Sequence, residues 1–374
     1  MKKALLLLLL VISYKVSSQY TQIPDPNFEQ ALIDLNVDNV LDGQVLTASI
    51  DTLTVLNVSN KNIDDLTGIQ DFTNLKILSA VWNNLTQINI SNLNYLESVY
   101  VYDNNITSLS ITGCPVLYEV FCQENSIDYI NLQGDYSLNT LIADTNHISE
   151  IDVTGMPMLY DLILHHNQIE QIDLSNNYYL QNLLIHFNNL SGLDLSNNHK
   201  LMQVTCAKNP NLSGTLDLSQ DYLMWIVEIS YTGIEVLNLK NGNNSSSLVI
   251  RANECNNLSC IIVDNPQAGY IDNWQYPPGT NIVDNINDCY NAVGINSEYE
   301  ISLYPSPADE KIFFSGDEIN FQTANIYDLT GKLFKTIDVN FENYINVKDL
   351  PGGFYILKLQ NDEMEIIKKI IVKH

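Results

Sequence analysis

Seven asparagines, Asn83, Asn104, Asn125, Asn146, Asn167, Asn188 and Asn209, recur every 21 residues. A fixed period of this length requires one short unit stacked on copies of itself, so the chain is a solenoid before any chemistry is considered. Around each asparagine runs the apolar frame L-x-x-L-x-L-x-x-N-x-L-x-x-L-x-L. It reads Leu159, Leu162, Leu164, Asn167, Ile169, Ile172 and Leu174 in one unit, then Leu180, Leu183, Ile185, Asn188, Leu190, Leu193 and Leu195 in the next. The first half of the frame alternates with period two, which buries one face of a short strand, and stacking places those strands in a parallel sheet. The asparagine falls at the bend after each strand. There its carbonyl and amide can satisfy turn groups that the sheet leaves unpaired, so it is read as a structural ladder and not a ligand site.

The charge balance narrows the partners. The 374 residues carry 44 acidic and 17 basic side chains. Between residues 19 and 296 there are 31 acidic and 6 basic residues, and Arg251 is the single arginine of the chain. Phosphate binding needs clustered Lys and Arg, so nucleic acid is not an expected partner. At the amino end, Lys2 and Lys3 precede the apolar run from Ala4 to Ile12, and Val16-Ser17-Ser18 has the small residues of a cleavage site. Residues 1–18 are therefore expected to be a signal peptide and the product to be exported. That run is too short to span a bilayer, and membrane insertion is not expected.

Five of the six cysteines fall into two groups. Cys122 and Cys206 occupy the inward position filled elsewhere by Leu164 and Ile185 and are read as core thiols. Cys255, Cys260 and Cys289 cluster after the last repeat, where a disulfide suits an oxidising compartment. Cys260 with Cys289 is the expected pair and Cys255 the competing partner, because spacing does not fix connectivity.

Asp25-Pro26 reads as an N-cap and first helical residue, followed by the apolar stripe Phe28, Leu32 and Leu35. Residues 19–52 are thus expected to form a helical cap over the first apolar layer. Asp34, Asp38 and Asp42-Gly43 lack calcium-loop spacing and are read as turn chemistry. Residues 53–240 hold the repeats. The first is 22 residues long with Lys61 in the asparagine position; the unit starting at Leu201 is read as 22 residues, and the next as having Tyr231 in that position. Regularity then fades through Asn241-Gly242-Asn243-Asn244 into a disulfide-bearing cap over 241–290. A linker is expected at 291–298, followed by a module of short alternating strands over 299–374, read as an antiparallel sandwich of immunoglobulin-like type.

The frame, with its tails Leu174-Asp-Leu-Ser, Leu193-Asp-Leu-Ser and Leu216-Asp-Leu-Ser, resembles the leucine-rich repeat family in its bacterial 21-residue subclass. The resemblance implies a curved solenoid, mostly strand and loop, that binds other macromolecules through its sheet face. The carboxy-terminal module carries Tyr304-Pro305-Ser306-Pro307-Ala308, Ile326-Tyr327-Asp328-Leu329-Thr330-Gly331-Lys332, Leu350-Pro351-Gly352-Gly353-Phe354-Tyr355 and the basic end with Lys368 and Lys369. Together these resemble the C-terminal sorting domain of type IX secretion cargo, with Ser306 where that family usually has Asn. What this implies is recognition by the type IX machinery, passage across the outer membrane of a Bacteroidetes-type bacterium, and removal of the module near Asn291 to Glu298.

Residues between the inward leucines point to the concave face and are free of core duty. One column reads Ser79, Tyr100, Phe121, Ile142, Ile163, Leu184 and Thr205, which sets large apolar groups on adjacent strands roughly 5 Å apart. Trp82, Tyr102, Tyr118, Tyr160 and Phe187 flank it. Such a patch marks a surface for a protein or, through the aromatic rings, a glycan. The neighbouring column is Gln123, Asp144, His165 and His186, with His166 beside it. Its donors suit a metal, but parallel side chains on a flat sheet do not converge on a tetrahedron, so it is read as a polar rim. Asp152, Asp173 and Asp194 form a third column, screened by water or bridged by calcium; without a glycine-rich calcium-roll repeat, screening is the reading taken. No nucleophile elbow, zinc-helix motif or phosphate loop occurs, so a non-enzymatic binding protein without cofactor or metal is expected.

Overall fold

The computed structural model describes residues 19–291, 302–305, 308–315, 321–328, 332–339, 344–361 and 365–373. The expected signal peptide, the linker beyond Asn291, and Pro307 and Gly331 of the sorting motifs lie outside the described residues. The chain divides into two compact units, the first ending at Ile286 and the second beginning at Asn287.

The first unit is built on a ten-stranded parallel sheet that runs from Val55–Asn57 at one edge to Val249–Arg251 at the other. Neighbouring strands pair without stagger, Leu141 opposite Leu162 and Leu162 opposite Leu183, which is the 21-residue period expressed as register. The central residue of each three-residue strand of this sheet is buried, and in most of them its two neighbours are half-exposed, as in Thr140-Leu141-Ile142. Two shorter parallel sheets lie along the return paths, one of three strands and one of four. A single apolar core runs from Ile23 and Phe28 to Trp274.

The asparagine ladder sews each coil to the one before it. Asn167 Nδ2 donates to Leu164 O in its own coil at 3.0 Å and to Ala143 O in the preceding coil at 2.9 Å. Its Oδ1 accepts the Ile148 amide at 2.9 Å. The same set recurs at Asn104, Asn125, Asn146, Asn188 and Asn209, and at Asn83, which accepts from both Ile63 and Lys61. Buried carbonyls and amides at the bend, which would otherwise lie unpaired at a cost of about 1–3 kcal/mol each, are thereby satisfied.

Two readings of the repeat phase are corrected. Val204 pairs with Val227 and Val227 with Ile250, so these coils are 23 residues long, not 22. The counterpart of buried Leu201 is Met224, at 5% exposure, whereas Leu223 is 39% exposed. Consequently Tyr231 takes the left-handed turn at φ 60°, and the asparagine slot is filled by Thr232, whose Oγ1 donates to Ile229 O at 2.8 Å. What the core conserves is the inward contact, so a longer return path is absorbed at the surface. For the same reason the coils do not stop near residue 240: Val249–Arg251 extends the long sheet, and Cys260–Ile262 and Asn281–Val283 extend the shorter one.

Helix Pro26–Asp34 precedes the coils. Asp25 Oδ1 accepts the Asn27 and Phe28 amides, and Oδ2 accepts those of Asp64 and Asp65 in the first coil. Phe28 and Leu32 are fully buried, but Leu35 is 45% exposed, so the expected apolar stripe is one residue shorter than its spacing suggested. The Asp42-Gly43 turn is held by Glu29 Oε1, which accepts the amides of Asp42, Gly43 and Gln44. Cys260 and Cys289 are disulfide-bonded, and Cys114, Cys122, Cys206 and Cys255 are buried free thiols.

The second unit has an antiparallel sheet of three strands and another of four, whose inward residues Ile312, Phe314, Ile326, Leu357, Leu359 and Ile370 share one core. Its motif residues have structural partners. Tyr355 donates its hydroxyl to Pro351 O at 2.8 Å beside buried Leu350, and Asp328 Oδ1 accepts the Lys332 amide at 3.0 Å. Tyr327 ends the strand Thr323–Tyr327 and Gly353 opens Gly353–Gln360; Tyr304, Pro305, Lys368 and Lys369 are exposed.

Candidate ligand-binding face

The outward residues of the long sheet form straight files because the strands pair without stagger. Phe121, Ile142, Ile163 and Leu184 are opposite one another on successive strands and half-buried. Tyr100 packs edge-on against Phe121, ring centroids 5.2 Å apart, and donates its hydroxyl to Glu119. Ser79 and Thr205 end the file with small polar groups.

The flanking aromatics do not gather into one cluster. Tyr118, 52% exposed, and Tyr160, 36% exposed, stand at the strand entries; Tyr102 is half-buried in the second outward file. Trp82, 60% exposed, and Phe187 sit in the exit turns, five strand steps apart, or about 24 Å at the usual spacing. Both adopt left-handed backbone, with φ 54°, as do Asp103, Glu124, Thr145, His166 and Lys208 in the same turn of other coils. This conformation is uncommon outside glycine and turns the ring away from the core.

The second outward file brings its polar residues together more tightly than parallel side chains on a flat sheet were expected to come. His165 and His186 stack with centroids 4.4 Å apart, and His166 stacks on Phe187 at 4.3 Å. His165 Nδ1 and His166 Nδ1 are 3.0 Å apart, and His165 Nε2 is 3.7 Å from the Asp144 carboxylate. Burial pulls the His165 imidazole below its usual value, with Asp144 opposing. Burial, followed by the neighbouring His165 and His166, pulls His186 down to about 4. Both shifts favour the uncharged ring.

The third file is turn chemistry. Asp152 Oδ1 accepts the Thr154 amide, Asp173 Oδ1 that of Ser175 and Asp194 Oδ1 that of Ser196, each at 2.9 Å. The Thr154 and Ser175 hydroxyls, followed by their amides, hold Asp152 and Asp173 below the ordinary aspartate range, and the Ser196 amide, followed by its hydroxyl, does the same for Asp194. Asp152 and Asp173 also line a cleft of about 780 Å³ with Tyr129, Tyr136 and Met156, away from the outward files. Sequence reasoning passed over one further file, Ser98, Glu119, Thr140, Asp161 and Asn182, which lies two positions before the apolar one; Asn182 Nδ2 donates to Asp161 at 2.6 Å. The period-two alternation was the signal that locates it.

The first unit is a parallel β-solenoid with a leucine-rich-repeat-like frame. Residues 302–373 match the family model of the secretion system C-terminal sorting domain, and this type IX tail implies secretion or attachment to the cell surface. Among solved structures, the chain is similar to the functional domain of InlJ from Listeria monocytogenes, at 17% identity over 95% of this chain and 99% of that one, with a TM-score of 0.43. It is similar to YopM from Yersinia enterocolitica at 21% identity over 63% of this chain and 47% of that one, TM-score 0.48. A leucine-rich effector, YopM from Yersinia pestis, gives 18% identity over 62% and 59%, TM-score 0.43. No curated protein matches the sequence. No helix among the described residues is long and apolar enough to cross a membrane.

Proposed function

We propose that this is an exported, non-enzymatic binding protein whose long-sheet face recognises a protein ligand at the cell surface or in the medium. In this reading residues 1–18 direct export, helix Pro26–Asp34 caps the first coil, and the carboxy-terminal unit is an immunoglobulin-like sandwich read by the type IX machinery. The observation that carries the proposal is the file of Phe121, Ile142, Ile163 and Leu184, aligned in register and only half-buried. An apolar strip of this kind with aromatic neighbours is the usual anchor of a protein interface.

Changing Phe121, Ile142 and Ile163 together to serine is expected to weaken capture of the ligand from an outer-membrane extract by at least about tenfold, with the circular dichroism spectrum unchanged. Equal retention by both proteins would remove the proposal. A second reading, glycan binding, is favoured by the exposure of Trp82, Tyr118 and Tyr160. It predicts glycan-array signal that Trp82→Ala abolishes and the triple serine change spares. Mass spectrometry of the extracellular form is expected to find a new amino end near Gln19 and a carboxy end before Glu298. An extracellular form that retains both terminal segments would contradict the export reading.

A further inference from the structure

We propose that His165, His166 and His186 bind a divalent transition-metal cation of the zinc type through three imidazole nitrogens on the outward face of the long sheet. Each ring offers one nitrogen, and the three nitrogens lie within 4.8 Å of one another. The site stands on geometry alone and does not depend on the apolar file being a protein interface.

Three observations make this more than ring stacking. Consecutive residues of a strand point to opposite faces, so His165 and His166 should diverge. The left-handed turn at His166, φ 54°, breaks the alternation and brings its Nδ1 to 3.0 Å from that of His165. Two nitrogens bound to one tetrahedral zinc at about 2.0–2.1 Å stand roughly 3.3 Å apart, so this pair is spaced as ligands are. The next coil supplies His186 in register, with its ring stacked on His165.

The second observation is an orphan. His186 Nδ1 is buried and has no hydrogen-bond partner. A buried imidazole nitrogen without a partner is costly, and a cation would satisfy it. The third is a nearby negative charge: the Asp144 carboxylate lies 3.7 Å from His165 Nε2, where it favours a cation held by the rings. An all-imidazole donor set favours zinc, copper or nickel over calcium or magnesium. Three protein ligands leave one position for water or for a donor from a bound partner.

The test uses the full chain purified without a polyhistidine tag, with Zn2+ followed by calorimetry and Co2+ by its visible absorption bands. One equivalent per chain is expected at a Kd of about 10 µM or tighter, with Co2+ bands that Zn2+ bleaches. His166→Ala and His186→Ala are each expected to weaken binding by at least about tenfold, and His199→Ala, at an exposed position outside the cluster, to leave it unchanged. His166 is exposed, so its replacement leaves the core intact and serves if His186→Ala misfolds. Absence of saturable uptake below about 1 mM, or uptake that His166→Ala does not change, would overturn the proposal.

Discussion

Replacing Asn167 by alanine will lower the unfolding free energy of the solenoid by about 2–4 kcal/mol, read from urea transitions followed by far-ultraviolet circular dichroism. The change strands the Ile148 amide and frees the Ala143 and Leu164 carbonyls from their donor, all inside a region where the asparagine is only 8% exposed. Asn167→Asp, nearly the same shape, will be at least as damaging. It keeps the acceptor but turns an oxygen toward two carbonyl oxygens where an amide had donated. Asn189→Ala, one coil on but exposed, will stay within about 0.5 kcal/mol. If Asn167→Ala matches it, the ladder does not hold the coils together.

The second large effect is a loss of stability as pH rises toward neutrality. Asp135 and Asp221 are 1% exposed, each with one carboxylate oxygen lacking a partner, and burial pushes both carboxyls up to about 7. A carboxyl that holds its proton more tightly when folded contributes its full stabilisation below about pH 4 and loses it as pH climbs from 4 through 7. A three-unit difference bounds the loss at about 4 kcal/mol for each group. Asp135→Asn and Asp221→Asn will therefore be near neutral at pH 4 and stabilising by roughly 2–3 kcal/mol at pH 8. The amide suits the slot: Asn177 and Asn198 occupy the same position in their coils, with Nδ2 of Asn177 donating to Val153 O and Met156 O. The Asx-turn aspartates Asp152, Asp173 and Asp194 act in the opposite sense, and their contribution fades only as pH falls below the ordinary carboxylate range. Unfolding midpoints of the double variant that follow the native pH profile would contradict the assignment.

The coil architecture was legible because parity and period are local. Leu162 and Leu164 turn inward and Ile163 outward by strand alternation alone, and the 21-residue spacing carries that choice from coil to coil. The 23-residue coils were not legible from leucine spacing, since Leu223 and Met224 offer equally apolar side chains and only the register of Val204 with Val227 decides between them. The buried slot of Asp135 and Asp221 was in view as the recurring Ser-Asn-Asn of Ser175-Asn176-Asn177 and Ser196-Asn197-Asn198, but polar residues in a return path read as surface until the fold buries them. The histidine column was in view, but its convergence was not, for a different reason. Strand alternation predicts that His165 and His166 diverge, and the left-handed turn that reverses this is taken by residues as unlike as Trp82, Asp103 and Lys208, so no residue type announces it.

The account rests on the outward exposure of the residues between the inward leucines, and thiol labelling measures that directly. Single cysteines at Ile142, Ile163, Leu141 and Leu162 would be compared for their rate of maleimide reaction, against a background of native free cysteines that are all buried. Cysteine at Ile142 or Ile163 will react within about tenfold of the unfolded chain, and cysteine at Leu141 or Leu162 at least about 100-fold more slowly in folded protein. Equal rates at the paired positions, or protection of Ile142 and Ile163 instead, would contradict it.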